Sequence, residues 1–290
     1  MLNLIQINFF KRFITAILGV IILLFLIKIG SVPFFLLIMI ISIFLLYEYF
    51  SLISKMKIQC YKFLCLSFLV FMQIFFFLQN DSSKFNNLNI SSNIFTIILT
   101  LFSIFILSFP ILFSFFHKNS DIKLIFLSII SNIFGVFYIG WMFSHLILIR
   151  EFYGKELTYT LFFIIWVMDT FAYIFGSKFG KTKFTKISPN KSIEGALAGL
   201  ISAIFSSIIL HNFIFKINSF SIINSIVIGF LIGIFAQVGD IFESLIKRIS
   251  GEKDSGMFLP GHGGFLDRFD SIIFSAPIYF YFLVILKTIK

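Results

Sequence analysis

The sequence predicts an all-α, polytopic integral membrane protein with about nine transmembrane helices. Of its 290 residues, 59% are hydrophobic, 12% are charged and 46 are phenylalanine. That composition lies far outside the range of soluble globular domains. Apolar runs of roughly 20 residues, the length of helix that crosses a hydrocarbon layer about 30 Å thick, follow one another along almost the whole chain. We therefore expect a single membrane domain over residues 1–290.

The apolar runs define the helices in chain order, because irregular backbone does not face lipid. The first run follows Lys11 and Arg12. A secretory signal is the alternative for this run, but no small-residue cleavage site follows it, so we interpret it as an anchored helix. The polar stretch 79–93 predicts an exposed loop. The predicted spans are 13–29, 32–53, 62–78, 94–116, 123–149, 157–177, 195–215, 220–239 and 271–287.

The distribution of basic residues predicts the orientation of the bundle. With nine helices, 16 of the 23 lysine and arginine residues fall on the side of the N-terminus. The positive-inside rule then places the loops 178–194 and 240–270 in the cytoplasm, at the cytoplasmic (inner) membrane of a bacterium. The net charge of +10 is explained by topology and by attraction to anionic lipid. Because no basic domain lies outside the membrane, we expect no nucleic-acid partner.

Polar residues gather in three places, of which the first is WVMDTFAYIFGSKFG, residues 166–180. Asp169 follows eight apolar residues, and a carboxylate there would cost about 2.5 to 3.5 kcal/mol at mid-bilayer on insertion scales. It should therefore face a partner or a wet cavity. A structural hydrogen bond between helices is the alternative, but the position of Asp169 near the cytoplasmic lysines favours a functional role.

The second place is GKTKFTKISPNKSIEGALAG, residues 180–199. Ser188, Pro189 and Asn190 predict a turn that leads into a helix. A helix N-terminus offers free backbone N–H groups and suits a phosphate, which makes Lys191 and Ser188 candidate ligands. The alternative is that these loop lysines serve only to fix topology.

The third place is residues 239–270. Asp240, Glu243, Ser244, Lys247 and Arg248 are spaced so that a helix continuing out of the bilayer carries them on one side. A plain salt-bridge stripe is the alternative. The loop that follows is rich in glycine, which lets backbone approach a ligand closely. It also places carboxylates beside cations, as a site for Mg²⁺ and phosphate requires.

The segment SLIKRISGEKDSGMFLPGHGGFLDRFD, residues 244–270, resembles the signature of the phosphatidate cytidylyltransferases, the CDP-diacylglycerol synthases. WVMDTFAYIFGSKFG, ISPNKSIEG and YEYF at 47–50 also resemble this family. Ser177 and Ala198 depart from it, since an arginine and a glycine are expected there. The matching signature positions are Ser244, Lys247, Arg248, Lys253, Asp254, Gly256, Leu259, Pro260, His262, Gly263, Gly264, Asp267, Arg268 and Asp270.

The resemblance implies a reaction in which CTP and phosphatidate give CDP-diacylglycerol and pyrophosphate at the lipid bilayer. It assigns Mg²⁺ to Asp240 and Asp267, with an accompanying K⁺, and it makes Lys247, Arg248, Lys253 and Arg268 the cations for phosphates. Asp254 and Asp270 would orient Lys253 or Arg268. A homodimer is plausible for a membrane enzyme, but no feature of the sequence supports it. The substrate-binding residues implied are Asp169, Ser188, Lys191, Ser244, His262, Gly263 and Gly264, with His262 bonding substrate or shaping the loop.

Two other functions are compatible with parts of the sequence. CTP-dependent kinases of polyprenols or phytol are distantly similar in the membrane half and would transfer the γ-phosphoryl group. A transporter would also have many helices and an intramembrane aspartate, but no paired broken helices occupy matching halves. We expect a cytidylyltransferase with its catalytic part at about 160–270.

Overall fold

The computed structural model describes residues 17–78, 108, 121–217, 220–256 and 263–288. In these residues it is helical throughout, apart from short connections and one isolated bridge between Lys183 and Ser192. The helices are α1 Ile17–Ile29, α2 Ser31–Lys55, α3 Lys62–Leu78, α4 Ile122–Tyr153, α5 Lys155–Phe179, α6 Ile193–Ile214, α7 Ile222–Ile249 and α8 Leu266–Thr288.

Six of these helices, α2 and α4 to α8, are long and apolar enough to cross a membrane. The chain is thus an all-α membrane protein, as predicted. The predicted count of nine helices stays untested, because the structure describes only Ser108 within the span 94–116. The start of the first predicted span, residues 13–16, also lies outside the described part of the chain.

Local sequence explains where several helices begin. The side chains of Asp121, Ser192 and Ser221 accept hydrogen bonds from backbone N–H groups in the first turns of α4, α6 and α7, at 3.0 to 3.2 Å. Such caps satisfy donors that have no partner within the helix. Between α1 and α2, Gly30 has a φ of 68° and the Arg150 guanidinium packs against it, so this turn is built for glycine.

The C-terminal helices pack in sequence, α5 on α6, α6 on α7 and α7 on α8. Glycines allow these close contacts: a Cβ on Gly195 would lie 2.7 Å from the Ala172 carbonyl oxygen, and one on Gly229 would lie 2.8 Å from Ile204 Cα. Small residues at helix crossings are typical of membrane bundles. The packing brings α5, which carries Asp169, close to α7, which carries Asp240.

Two helices extend further toward the polar loops than their predicted spans. Helix α7 continues to Ile249, ten residues beyond the apolar run, which confirms the prediction that it continues out of the bilayer as far as Arg248. Helix α8 begins at Leu266, five residues earlier than predicted, so Asp267, Arg268 and Asp270 lie in its first turns. Helices α2 to α6 begin and end within four residues of their predicted bounds, and α1 ends at its predicted bound.

Candidate active site

The charged side chains of three helices converge on one cavity of about 330 Å³, which we call the acidic cavity. Helix α5 contributes Asp169, α7 contributes acids and a lysine, and α8 contributes acids and an arginine. Five carboxylates and two cations surround the space. The lining residues are Trp166, Asp169, Asp240, Glu243, Lys247, Asp267, Arg268, Asp270 and Ser271.

A second cavity of about 410 Å³ adjoins the acidic cavity, and Asp169 and Asp240 line both. We call it the loop cavity, because the α5–α6 connection lines one side of it. Ser188, Asn190 and Lys191 supply polar groups there, and α5 supplies apolar side chains. Tyr173, one turn after Asp169, lies on its wall and is 76% exposed. Asp169 therefore faces open space, as expected of an ionisable residue in an apolar helix.

Lys191 is held in place by a short hairpin in the α5–α6 connection. The Phe184 N–H donates to the Lys191 carbonyl oxygen at 2.8 Å, and the Ile193 N–H donates to the Thr182 carbonyl oxygen at 3.0 Å. The ammonium group forms an ion pair with the Asp240 carboxylate. The side chains of Lys191 and Asp240 are each about one-third exposed, so a ligand entering the loop cavity can reach both.

Lys247 joins two acids of the acidic cavity. Its ammonium nitrogen lies 2.5 Å from Glu243 Oε2 and 2.6 Å from Asp267 Oδ1. Glu243 is 1% exposed, and its other oxygen, Oε1, has no hydrogen-bond partner among the described residues. Buried carboxylates normally have all their oxygens bonded. The Glu243 carboxylate is therefore only half satisfied by the protein.

Asp267 is held by a dense set of hydrogen bonds. Its Oδ2 accepts from the Ser255 N–H at 3.1 Å, the Ser255 hydroxyl at 2.9 Å and the Gly264 N–H at 2.9 Å. Gly263, with a φ of 82°, lets the chain turn directly against this carboxylate. The loop before α8 thus fixes the position of Asp267.

Asp270 lies deeper in the acidic cavity and is 8% exposed. Its Oδ1 accepts from the Ser271 N–H at 2.7 Å, and its backbone packs against α7 at Gly239. The sequence predicts that it orients a cation. Its place on the cavity wall makes it as well positioned for a ligand as Asp267.

The other predicted site residues lie around these cavities. Ser244 is buried on α7, and Arg248 is exposed and donates to the Ile187 carbonyl oxygen at 3.4 Å. Lys253 and Asp254 are exposed in the loop after α7. His262 lies outside the described residues, so its predicted role is not tested. The predicted polar side of α7 is split, since Asp240, Glu243 and Lys247 line the acidic cavity whereas Ser244 and Arg248 do not.

Two buried glutamates, Glu48 and Glu243, contact residues of the site but are not among the predicted site residues. Glu243 holds Lys247, as described above, and Glu48 on α2 accepts hydrogen bonds from the start of α8. Both were visible in the sequence as ionisable residues within apolar helices, which is the signal that drew attention to Asp169. Cys60 does not carry a charge, because burial raises the pKa of its thiol to about 11 and keeps it protonated.

The fold and the two cavities define a class: an integral membrane protein with a polar, carboxylate-rich site at one end of its bundle. Comparison with known proteins specifies it further. A family model described as the cytidylyltransferase family matches residues 10–286. The chain therefore belongs to the cytidylyltransferase family, and it is a nucleotidyltransferase.

Individual relatives agree with this assignment. A protein of Bacillus subtilis (strain 168) named phosphatidate cytidylyltransferase is 33% identical over 280 residues, which cover 95% of this chain and 97% of that protein. Proteins of the same name from Staphylococcus haemolyticus and Synechocystis are 46% and 41% identical over 119 and 133 residues. The chain spans 45% of the length of each of these two relatives.

Proposed function

We propose that the protein transfers the cytidylyl group of CTP to phosphatidate, giving CDP-diacylglycerol and pyrophosphate. The observation that supports this most is the acidic cavity, where five carboxylates and two cations meet at one end of apolar helices. A soluble nucleotide and the head group of a lipid can both reach such a position. The family and the names of the relatives supply the two substrates.

The reaction forms one P–O bond and breaks another. An oxygen of the phosphatidate phosphate attacks the α-phosphorus of CTP, and the bond from that phosphorus to the β-phosphate oxygen breaks, so that pyrophosphate leaves. Both reactants are anions, which makes electrostatic repulsion the main barrier. The protein must therefore neutralise charge and hold the attacking and leaving oxygens in line.

The residues around the acidic cavity suit Mg²⁺. Carboxylate oxygens are the ligands this ion prefers, and it commonly takes only one or two of them, completing its shell with water and substrate phosphates. The described residues contain no group of three or more metal-ligating side chains that would form a site without substrate. The acids nevertheless outnumber the cations by five to two, and among the described residues Glu243 Oε1 has no hydrogen-bond partner. These features fit a metal that arrives with the nucleotide.

We propose Asp240 and Asp267 as the residues that hold Mg²⁺, with Asp270 close enough on the same wall to assist, and K⁺ as an accompanying ion. When bound, Mg²⁺ would neutralise phosphate charge and assist the departure of pyrophosphate. Lys247 and Arg268 line the same cavity and are assigned to phosphate oxygens. Lys191, which reaches Asp240 from the loop cavity, would exchange that partner for a substrate phosphate.

The remaining features of the proposal follow from the position of the site. Catalysis is assigned to about residues 160–270, extended to Ser271 by the lining of the cavity. Lys55, Lys191 and Lys247 lie at the same end of the bundle as the acidic cavity, which we assign to the cytoplasmic side of the inner membrane. We also propose a homodimer. The molecular mass of the protein in detergent, corrected for bound detergent, tests this proposal.

Labelled CTP tests the reaction. The purified full chain is incubated with phosphatidate, Mg²⁺ and CTP labelled at the α- or the γ-phosphorus. The proposal expects α-label in the lipid fraction and γ-label in pyrophosphate. Entry of γ-label alone into the lipid would identify a CTP-dependent kinase and contradict the proposal. Absence of any label from the lipid would contradict both.

A further inference from the structure

Glu48 on α2 contacts the loop and the helix that carry Asp267, one of the acids of the acidic cavity. This glutamate is 1% exposed although it lies in a membrane helix. Burying a carboxylate among apolar helices is costly unless its oxygens accept several hydrogen bonds. The hydrogen-bond partners of Glu48 therefore indicate the structural role of its carboxylate.

All three partners that the structure gives to Glu48 belong to the loop and helix that carry Asp267. The Phe265 N–H donates to Oε1 at 2.9 Å, and the Leu266 N–H donates to Oε2 at 2.8 Å. Leu266 is the first residue of α8, so these are donors at a helix N-terminus, where a negative charge is favourable. Glu48 thus supplies from α2 the cap that the sequence before α8 does not provide.

Ser255 links Glu48 to Asp267 directly. Its hydroxyl oxygen lies 3.1 Å from Glu48 Oε2 and 2.9 Å from Asp267 Oδ2. The hydroxyl has one hydrogen and two carboxylates within reach, so its orientation depends on both. A displacement of Glu48 therefore changes the hydrogen bonding of Asp267.

The backbone of the loop is built around the Glu48 carboxylate. A Cβ on Gly256 would lie 2.6 Å from Glu48 Oε1, and one on Gly264 would lie 2.4 Å from Oε2. Neither position has room for a side chain while Glu48 keeps its hydrogen bonds. Further along α2, the Lys55 ammonium lies 2.6 Å from Glu252 Oε1, so the last turns of this helix contact the loop at both of its ends.

From this geometry we infer that Glu48 is a positioning residue for catalysis: it holds Ser255, Phe265 and the start of α8 so that Asp267 faces the acidic cavity. Glu48 itself does not line that cavity among the described residues. It acts through Ser255 and the α8 backbone, without contact with substrate. The inference rests on the proposed function for its effect on turnover, but the contact with the loop can be tested independently.

The test compares the purified full chain with Glu48→Gln and with the control Ser42→Ala. Ser42 lies on the same helix, is buried, and accepts from Gln73 Nε2 at 2.6 Å, away from the loop. Amide hydrogen exchange is measured on peptides covering 263–267, together with kcat and KM for CTP. Glutamine offers one acceptor oxygen and places an NH₂ group against the second N–H donor.

In Glu48→Gln we expect faster exchange in 263–267 and a fall in kcat of roughly 100-fold, because displacing a catalytic group by about 1 Å has that effect. KM for CTP should change by less than about threefold, since the lost interaction acts in the transition state. Ser42→Ala should lower the unfolding temperature and leave the exchange in 263–267 and kcat unchanged. If Glu48→Gln does not fold, Ser255→Ala tests the same link.

Unchanged exchange in 263–267 overturns the inference, and so does faster exchange with wild-type kcat. A failure of the proposed function has a different signature, because the wild-type chain itself would then not move the α-label of CTP to lipid. The exchange comparison remains valid in that case.

Discussion

The two ends of the helix bundle satisfy their buried polar groups in different ways. At the end away from the acidic cavity, Arg150 donates to the backbone carbonyl oxygens of Ile27 at 2.7 Å and Lys28 at 3.4 Å. His211 lies 2.8 Å from the Tyr279 hydroxyl and bonds to Ser207. These contacts use neutral partners and join helices, so they stabilise the fold.

At the other end, the acids outnumber the cations around them. Lys247 is shared by Glu243 and Asp267, and Lys191 pairs with Asp240. In the described part of the chain, one oxygen of Glu243 has no hydrogen-bond partner. Clustered carboxylates repel one another unless a proton or a cation compensates them, so such an arrangement favours the binding of a further positive charge. The polar contacts at the first end join helices, whereas the acids at the other end are the groups that we propose to hold a cation and a nucleotide.

The largest effect is expected from Asp267→Asn. The change removes a negative charge from the acidic cavity and keeps the size of the side chain. Turnover should fall by at least about 100-fold, the loss typical of one electrostatic group in a transition state. The matched control is Asp121→Asn, which alters a helix cap that lines neither cavity. The assay with α-labelled CTP measures this turnover. Wild-type turnover in Asp267→Asn would refute the proposal that Asp267 holds the metal.

Lys191→Gln should have a smaller effect on the same reaction. The variant leaves Asp240 without its cation and removes a charge that we assign to a substrate phosphate. We expect kcat/KM to fall by roughly 10- to 100-fold, because one ionic contact with a phosphate contributes about 1.5 to 3 kcal/mol. Lys183→Gln, in the same hairpin but outside the cavities, serves as the control. An equal loss in both variants would mean that the lysines act only through overall charge.

The opposite end should respond in stability and not in catalysis. Tyr279→Phe removes the hydroxyl that bonds to His211 and leaves a buried ring nitrogen without that partner. We expect a loss of about 1 to 3 kcal/mol in the free energy of unfolding. Turnover per folded molecule should stay at the wild-type level. A large fall in kcat without a change in unfolding would show that the two ends are not separate.

The smallest effect is expected at the surface. Lys55 and Glu252 form an ion pair whose side chains are 48% and 39% exposed. Exposed pairs contribute about 0 to 1 kcal/mol, so Glu252→Gln should change unfolding and turnover little. Turnover of this variant is measured beside that of Glu48→Gln. A strong loss in Glu252→Gln would show that the surface ion pair, and not Glu48, positions the loop.

The sequence predicts most of the fold, because a membrane helix is encoded locally by an uninterrupted apolar run. The span 62–78 agrees with α3 at both ends, and α5 differs by two residues at each end. Helix α7 continues past its apolar run through Arg248, as the spacing of its polar residues predicts, but α8 starts five residues before its predicted span. Hydropathy ends a span at the first charged residues, whereas the α8 start depends on a cap from Glu48, more than 200 residues earlier in the chain.

Several residues of the acidic cavity could be predicted from the sequence, but their arrangement could not. Motif and composition point to Asp169, Asp240 and Asp267, which the structure brings to one cavity. The pairing of Lys191 with Asp240 and the sharing of Lys247 could not be predicted, since they depend on how separate helices pack. His211 illustrates the same limit: it lies in the apolar helix α6, and its partner Tyr279 comes from α8.

The most direct test of the central claim is the location of a divalent cation. Crystals of the full chain grown with Mn²⁺ and CTP would reveal the ion by its anomalous scattering. The account predicts a peak inside the acidic cavity, bonded to Asp240 or Asp267 and to the nucleotide phosphates, and its loss in Asp240→Asn. A nucleotide bound with its metal outside this cavity, or bound there with no metal at all, would contradict it.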